Sequence, residues 1–583
     1  MTVAKRYKAA AVQFEPTMFR KDENVSSLLA LVEKAAKDGA KLIVTPEMGT
    51  TGYCWVDRDE VAPFVENIPG PTTDRFSEVA RRYGCHVVIG MPERDPETNL
   101  YYNSAALIGP EGFIGRHRKT HPYISEPKWA APGDCGHAVF ETSLGRIAIL
   151  ICMDLHFAET ARHVALEGAD VICHTSNWLA ERTPAPYWMS RAFENSCWLI
   201  ESNRWGLERT VQFSGGSCVI APDGSIAAVI DSGDGVAYAE IDLAASRARR
   251  VLGEPTFEDR RPEMYMNVAT NTFAWNPSDF FKLYGHSPIP PGRRSHVGVA
   301  QFAPERDVAR NLATIEAMAD EAAGRGVDLL VLPELCLTGG PAAKADLAER
   351  LSGPAVARLI EIATQRRMHI VAGLAERGDG VFHDTVALVG PEGLVGSYRS
   401  VHLTAATRSW ATAGDRWEVF DLPEGRIGLL TGYDASFPEA GRSLALLGCD
   451  VIAVSAAQRG AFVRGHGGTA VRQNYPIPTG PDPWHWHHFR VRAGENNVYL
   501  AFANIFDAEQ GFDGKSGVFG PDTFAFPRCE AVQQRGAGVA AMEIDTTSSG
   551  PYPSSVVRRK DLVLMRLPHL YKKLIEKPRG APA

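Results

Sequence analysis

The sequence predicts an α/β protein built from two tandem copies of one domain. Three observations carry that prediction. The chain has 583 residues, more than one hydrophobic core supports, so two or more domains are expected. Each half alternates short apolar runs with amphipathic helical patterns, the signature of α/β layering. Motifs also recur in order. VTPEMGTTGY (44–53), GRHRKTH (115–121) and LICMDLHFAE (150–159) are answered by VLPELCLTGG (331–340), GSYRSVH (396–402) and LTGYDASFPE (430–439).

The elements follow in parallel. AAAVQF (9–14) and VGVAQF (297–302) read as opening strands. In the first half Val25, Leu28, Leu29, Val32, Ala35 and Ala36 share one helical face, and Gly39 is placed to end that helix. In the second half Leu312, Ile315, Met318, Ala319 and Ala322 do the same, followed by Gly324 and Gly326. The all-apolar runs LIV (42–44) and LLVL (329–332) read as strands buried on both faces. Each is stopped by Pro-Glu, which puts a carboxylate just past a strand end, where α/β folds place their sites. MDLHFAETARHVALEG reads as a helix ending at Gly168, and SFPEAGRSLALLGCD as its counterpart. SRAFENSCWLIESN (190–203) matches VRAGENNVYLAFAN (491–504). Both copies then close on Arg-Arg and a later Tyr, Arg260-Arg261 with Tyr265 and Arg558-Arg559 with Tyr571. The second half carries about 20 extra residues within 458–488, a Gly-, Pro-, His- and Trp-rich stretch read as a long surface loop. The expected division is a domain over 1–275, a Pro-rich linker over 276–294 and a second domain over 295–583.

Composition narrows the partners. A net charge of −8 gives no reason to expect nucleic acid. No run approaches the apolar length of a membrane span, and the N-terminus lacks a signal-peptide stretch. Ten cysteines without paired spacing fit reduced thiols and a cytoplasmic protein, with no zinc site. His485, His487 and His488 have no acidic or Cys partner nearby, so no metal and no cofactor is expected.

The chemistry concentrates in the first half. Cys152 stands at a strand-to-helix turn, where a helix N-terminus can lower a thiol pKa and the Met153 N–H can face an oxyanion. Glu47, at another strand end, can take the thiol proton, and Lys119 can supply a fixed positive charge.

With these flanks, the Pro-Glu, Arg-Lys-x-His and Cys-x-Asp motifs resemble the nitrilase, or carbon–nitrogen hydrolase, superfamily, in order and in spacing, along nearly the whole chain as two copies. The resemblance implies a four-layer αββα sandwich and a Glu-Lys-Cys triad. Glu47 would be the general base, Lys119 the oxyanion stabiliser and Cys152 the nucleophile. Glu126 matches the family's second Glu. Asn177, Trp178 and Tyr53 become candidates for the pocket, with Met153 donating from its backbone. The implied reaction is hydrolysis of a small amide through a cysteine thioester, without a metal. Asp154 and Glu159 fit the amidase side of the family. His156 and Ala158 depart from its usual Arg and Pro. N-carbamoyl hydrolysis is the nearest alternative and nitrile cleavage a further one.

The second copy keeps Glu334 but has Ser400, Gly432 and Thr407 where the first has Lys119, Cys152 and Glu126. A triad acts as a unit, so this copy is expected to be inactive. The resemblance implies that it pairs with the first copy as an internal pseudo-dimer, to which a further homo-oligomer can be added. The 458–488 loop can cover the live pocket or lie on the surface. A scaffold without catalysis is the non-enzyme reading, and the intact first motif set argues against it. A glutaminase feeding a fused synthetase is disfavoured by the absence of a Walker-type phosphate loop.

Overall fold

The computed structural model describes residues 5–270, 289–340, 345–459, 466–474, 487–522, 528–548 and 555–577. In the first copy, β1 (Arg6–Gln13), α1 (Lys21–Lys37), β2 (Leu42–Val44), the single turn α2 (Arg58–Val61), α3 (Pro71–Tyr83), β3 (His86–Arg94), β4 (Tyr101–Gly109) and β5 (Gly112–Arg118) come first. They are followed by β6 (Val139–Thr142), β7 (Gly145–Ile151), α4 (Ala158–Leu166), β8 (Val171–Ser176), α5 (Pro186–Asn195) and β9 (Trp198–Asn203). The chain ends this copy with β10 (Trp205–Glu208), β11 (Val211–Ser214), β12 (Cys218–Ile220), β13 (Ile226–Val229) and β14 (Gly235–Asp242).

Two six-stranded sheets result, ordered β14-β1-β2-β3-β4-β5 and β13-β12-β9-β8-β7-β6. Their centres are parallel, β1-β2-β3 and β7-β8-β9, and antiparallel strands flank them. The sheets face each other through β1 against β9 and β2 against β8. Helices α1 and α3 cover the first sheet, and α4 and α5 the second. This is the αββα sandwich. The second copy repeats both strand orders, from Arg294–Gln301 to Gly538–Asp545.

The periodic residues do what their spacing predicts. Val25, Leu28, Val32, Ala35 and Ala36 of α1 are buried, and Gly39 follows at a φ of 93°. In the second copy Ile315, Ala319 and Ala322 bury the same face of Val308–Gly324, capped by the Asp307 side chain. The helix expected directly after Cys152 is divided instead. Cys152–His156 forms a 3₁₀ turn, Phe157 is extended, and α4 starts at Ala158. The counterpart helix spans Pro438–Leu446.

Packing divides the chain at Val251 rather than at 275. One compact unit is Met1–Val251 with Val463–Pro483; the other is Leu252–Phe462 with Trp484–Ala583. In the second unit Tyr265 Oη lies 2.5 Å from His402 Nε2 and Arg260 Nε donates to Glu439 at 3.1 Å. In the first, Thr469 O accepts from Arg182 and Ala470 N–H donates to Asp231. Most of the 276–294 linker, and Trp484, His485 and Trp486 of the expected loop, lie outside the described residues, whereas His487 begins a helix, His487–Asn496. Among the described residues no helix is long and apolar enough to cross a membrane.

Candidate functional site

Four strands deliver the site at their carboxyl ends. Glu47 follows β2, Lys119 follows β5, Cys152 follows β7 and Asn177 follows β8. The Glu47 turn fits because β3 has Gly90 beneath it. A Cβ there would lie 2.4 Å from Pro46 O and 2.7 Å from Glu47 Cα.

The structure brings the predicted residues together in a buried cluster. Lys119 Nζ donates to Glu47 Oε1 at 2.9 Å and also to Glu126 Oε1. Tyr53 Oη donates to the same Glu126 oxygen at 2.6 Å. Burial alone would push the Lys119 ammonium down; Glu126 and Glu47 outweigh it and hold it well above its ordinary range. Burial pushes the Glu126 carboxyl up, Lys119 opposes that, and Glu47 adds to it. The second Glu47 oxygen, Oε2, has no hydrogen-bond partner among the described residues. It is the acceptor left over for an incoming proton.

Cys152 starts its turn at a φ of 44°, a left-handed conformation that costs a non-glycine residue on the order of 1 kcal/mol. The expected lowering of its pKa does not occur. Burial and the charge of Glu47 push the thiol well above its ordinary value, and Lys119 only partly offsets them. The 3₁₀ turn is too short for a strong dipole to win against that desolvation. The backbone of Asn177 hydrogen-bonds the sulfur, and its Nδ2 donates to Glu47 O at 3.1 Å. Met153 is second in the turn, where N–H groups lack an intrahelical partner.

The pocket candidates separate by role. Tyr53 orients Glu126. Trp178 is held by Asn203 and Glu181, at 2.8 and 3.0 Å, and stacks on His156 at 4.5 Å. His156 therefore fills its non-Arg position as a buried aromatic, and burial pushes its pKa well down. Asp154 clamps the loops that carry Lys119 and Cys152. It accepts from Ile151 N–H (3.1 Å), from Thr120 N–H and Oγ1 (3.1 and 2.8 Å), from His121 N–H (3.0 Å) and from His117 Nε2 (2.8 Å).

Sequence reasoning missed three side chains. Asn103 Nδ2 reaches Glu47 Oε1 at 2.6 Å and Glu126 Oε2 at 3.3 Å, bridging the two carboxyls. His174 Nε2 lies 3.1 Å from Cys152 O, and its Nδ1 is paired with Glu201. Aligning the copies along β4, β8 and β9 exposes all three, because each polar residue is replaced in the second copy.

A model of the carbon-nitrogen hydrolase family matches residues 8–251 and again 296–551. The chain belongs to the carbon-nitrogen hydrolase family. This carbon-nitrogen hydrolase is 38% identical over 261 residues to a nitrilase of Pyrococcus abyssi (strain GE5 / Orsay), which spans 44% of this chain and 98% of the relative. It is 32% identical over 272 residues to an N-carbamoylputrescine amidase of Solanum lycopersicum, spanning 42% of this chain and 90% of that one. Among solved structures, a carbon-nitrogen hydrolase from Helicobacter pylori G27 is similar at 25% identity with a TM-score of 0.42, covering 45% of this chain and 98% of that chain.

The second copy of this carbon-nitrogen hydrolase keeps the frame and loses the charge pattern. Asp434 repeats the clamp, accepting from His402 N–H (2.8 Å), Tyr398 Oη (2.6 Å) and Thr431 Oγ1 (2.9 Å). Ser400 Oγ turns to Thr431 at 2.7 Å. Thr407 sits in a turn capped by Thr404, and Gly340 stands where the first copy has Tyr53. Asp384 replaces Asn103 and hydrogen-bonds Glu334, so two carboxyls share the space of an amide and a carboxylate. Burial pushes Glu334 up to about 7, and burial together with Glu334 pushes Asp384 well up. At Gly432 a Cβ would lie 2.9 Å from Ala456 Cβ and 3.2 Å from Gln458 Cγ.

Proposed function

We propose that the first copy hydrolyses a small linear amide through a Cys152 thioester, and that the second copy is catalytically inactive. The observation that supports this best is the buried cluster of Glu47, Lys119, Glu126 and Cys152 with one Glu47 oxygen unpartnered. A thiol held well above its ordinary pKa is protonated at rest, so the reaction begins with proton transfer from Sγ to Glu47. The sulfur then bonds to the amide carbon and the C=O π pair moves onto oxygen. Lys119 Nζ and the Met153 N–H stabilise that oxyanion. As the oxyanion collapses, the C–N bond breaks, Glu47 returns the proton to nitrogen, and ammonia or an amine leaves. Water loses a proton to Glu47 and attacks the thioester carbon; the C–S bond breaks, the thiolate regains a proton and the carboxylic acid departs. Glu126 keeps Lys119 charged and in place, with Tyr53 behind it. Asn177 and Trp178 shape the wall beside the sulfur.

The substrate class is tested by ammonia release from a panel of linear amides, N-carbamoyl compounds and nitriles. Turnover highest on amides supports the proposal. Preference for N-carbamoyl compounds favours the reading suggested by the N-carbamoylputrescine amidase relatives. The two copies in one chain are proposed to pair as an internal pseudo-dimer, with oligomerisation beyond it open to measurement by light scattering. Ten free cysteines agree with a reducing compartment such as the cytoplasm.

A further inference from the structure

We infer that His174 and Glu201 are a positioning pair that aims the oxyanion-binding N–H of Met153, a role that rests on reading Cys152 as the nucleophile. The two residues are cross-strand neighbours on β8 and β9, and both side chains are fully buried. His174 Nε2 lies 3.1 Å from Cys152 O. A carbonyl only accepts, so Nε2 carries a proton. Nδ1 faces the Glu201 carboxylate, which Ser176 Oγ also hydrogen-bonds. With acceptors on both ring nitrogens, the doubly protonated imidazolium is favoured.

Cys152 O and the Met153 N–H belong to one peptide unit. In a planar trans peptide they point in opposite directions. Holding the oxygen on the β8 side therefore turns the N–H to the other side. A charge-assisted bond to the oxygen also polarises the unit and strengthens its N–H as a donor. The turn needs such a hold, because Cys152 is in a left-handed conformation that it does not prefer.

The second copy is the internal control. At the same register it has Val454 opposite Phe502, and Ala456 for Ser176. These three are also fully buried. The sheet thus closes in the same register with no polar group there, and a buried ion pair is a poor stabiliser compared with well-packed apolar residues. Gly432, which could adopt a positive φ at no steric cost, does not, and its carbonyl accepts from Gln458 Nε2 at 2.6 Å instead. The polar pair is found where the strained Cys turn is found, and is lost with it.

The test is the full chain carrying His174→Val with Glu201→Phe, the residues of the second copy, compared with Glu201→Gln alone and with Cys152→Ala. The expected result for the double variant is an unchanged melting temperature and a kcat lower by about 100-fold with KM nearly constant. Alkylation of Cys152 by iodoacetamide should keep its pH profile, because Glu47 and the thiol are untouched. Affinity for a small aldehyde, whose thiol adduct places an oxygen at the oxyanion position, should fall in parallel with kcat. Glu201→Gln should move the same two readouts by less, and it decides the matter if the double variant does not fold. Wild-type kcat and aldehyde affinity in a folded pair variant overturn the inference. Turnover retained by Cys152→Ala overturns the nucleophile reading instead, so the two failures are distinguishable.

Discussion

The turns after Gly145–Ile151 and Gly425–Thr431 occupy the same position in the same strand order, and only one of them is strained. By contrast, the turns that carry Glu47 and Glu334 are alike, with Met48 at a φ of 52° and Leu335 at 53°. The clamp carboxylates Asp154 and Asp434 are alike as well, each binding the loop of the preceding sheet's last strand. What the copies share is therefore the frame: two sheets, a glutamate turn and an aspartate clamp. What they do not share is the positive charge, the thiol, the amide between the carboxyls and the ion pair under the Cys152 turn. Packing alone preserves the first set. The second set is the one the proposed hydrolysis uses.

That comparison can be broken or sharpened by substitution. Cys152→Ala should give the largest effect, a loss of turnover on the order of 10⁴-fold or more with an unchanged circular-dichroism spectrum. Residual ammonia release near wild type would remove the first copy's claim to the chemistry. Lys119→Ser, the residue of the second copy, should lower kcat by about 10²–10³-fold, because the oxyanion loses its fixed cation and two buried carboxylates lose theirs.

Asn103→Asp imports the second copy's carboxyl pair. The added carboxyl should share a proton with Glu47, as Asp384 does with Glu334. The base should then hold its proton to higher pH than in wild type, because the added carboxyl repels its ionised form. Activity should be depressed by roughly 10–100-fold near neutrality and recover as pH rises. A pH–rate profile parallel to wild type would count against that transfer.

Glu334→Gln tests the same pair by stability. Glu334 is raised to about 7 in the folded chain, so the folded state binds the extra proton. Its favourable contribution is present below the unfolded carboxylate range and is lost as pH rises through 7. Wild type should lose about 2 kcal/mol more than Glu334→Gln between pH 5 and pH 8, read from denaturant melts. Equal pH dependence would mean that the pair is not holding a proton. The smallest expected effect is none at all. Ser400→Lys with Gly432→Cys, in a Cys152→Ala background, should yield no turnover. A side chain at 432 meets Ala456 and Gln458, and Asp384 and Thr407 still stand where the first copy has Asn103 and Glu126. Measurable ammonia release would show that these two side chains suffice to restore the second copy.

Much of this was legible in the chain. The helical faces of Lys21–Lys37 and Val308–Gly324, the strands at 42–44 and 329–331, and the cluster of Glu47, Lys119, Cys152 and Glu126 follow from apolar spacing and paired motifs. The fine structure of the Cys152 turn was not legible. Phe157 interrupts the expected helix through its backbone angles, which apolar spacing does not report. Nor were Asn103, His174 and Glu201 within one copy, since each is followed by further polar residues of its strand, Ser104, Thr175-Ser176 and Ser202-Asn203, and nothing in the spacing sets it apart from them.

By itself the sequence determined that the domain is doubled, that its layers alternate strand and helix, and that one copy holds a complete set of reactive groups. Periodicity and repeated motifs encode these locally. The tertiary structure alone decided the state of those groups. Burial raises the Cys152 thiol that a helix terminus was expected to lower, and two carboxylates keep Lys119 charged despite burial. Solvation and pairing depend on what surrounds a side chain in space, and residues 47, 103, 119, 126, 152, 174 and 201 become neighbours only when both sheets have closed.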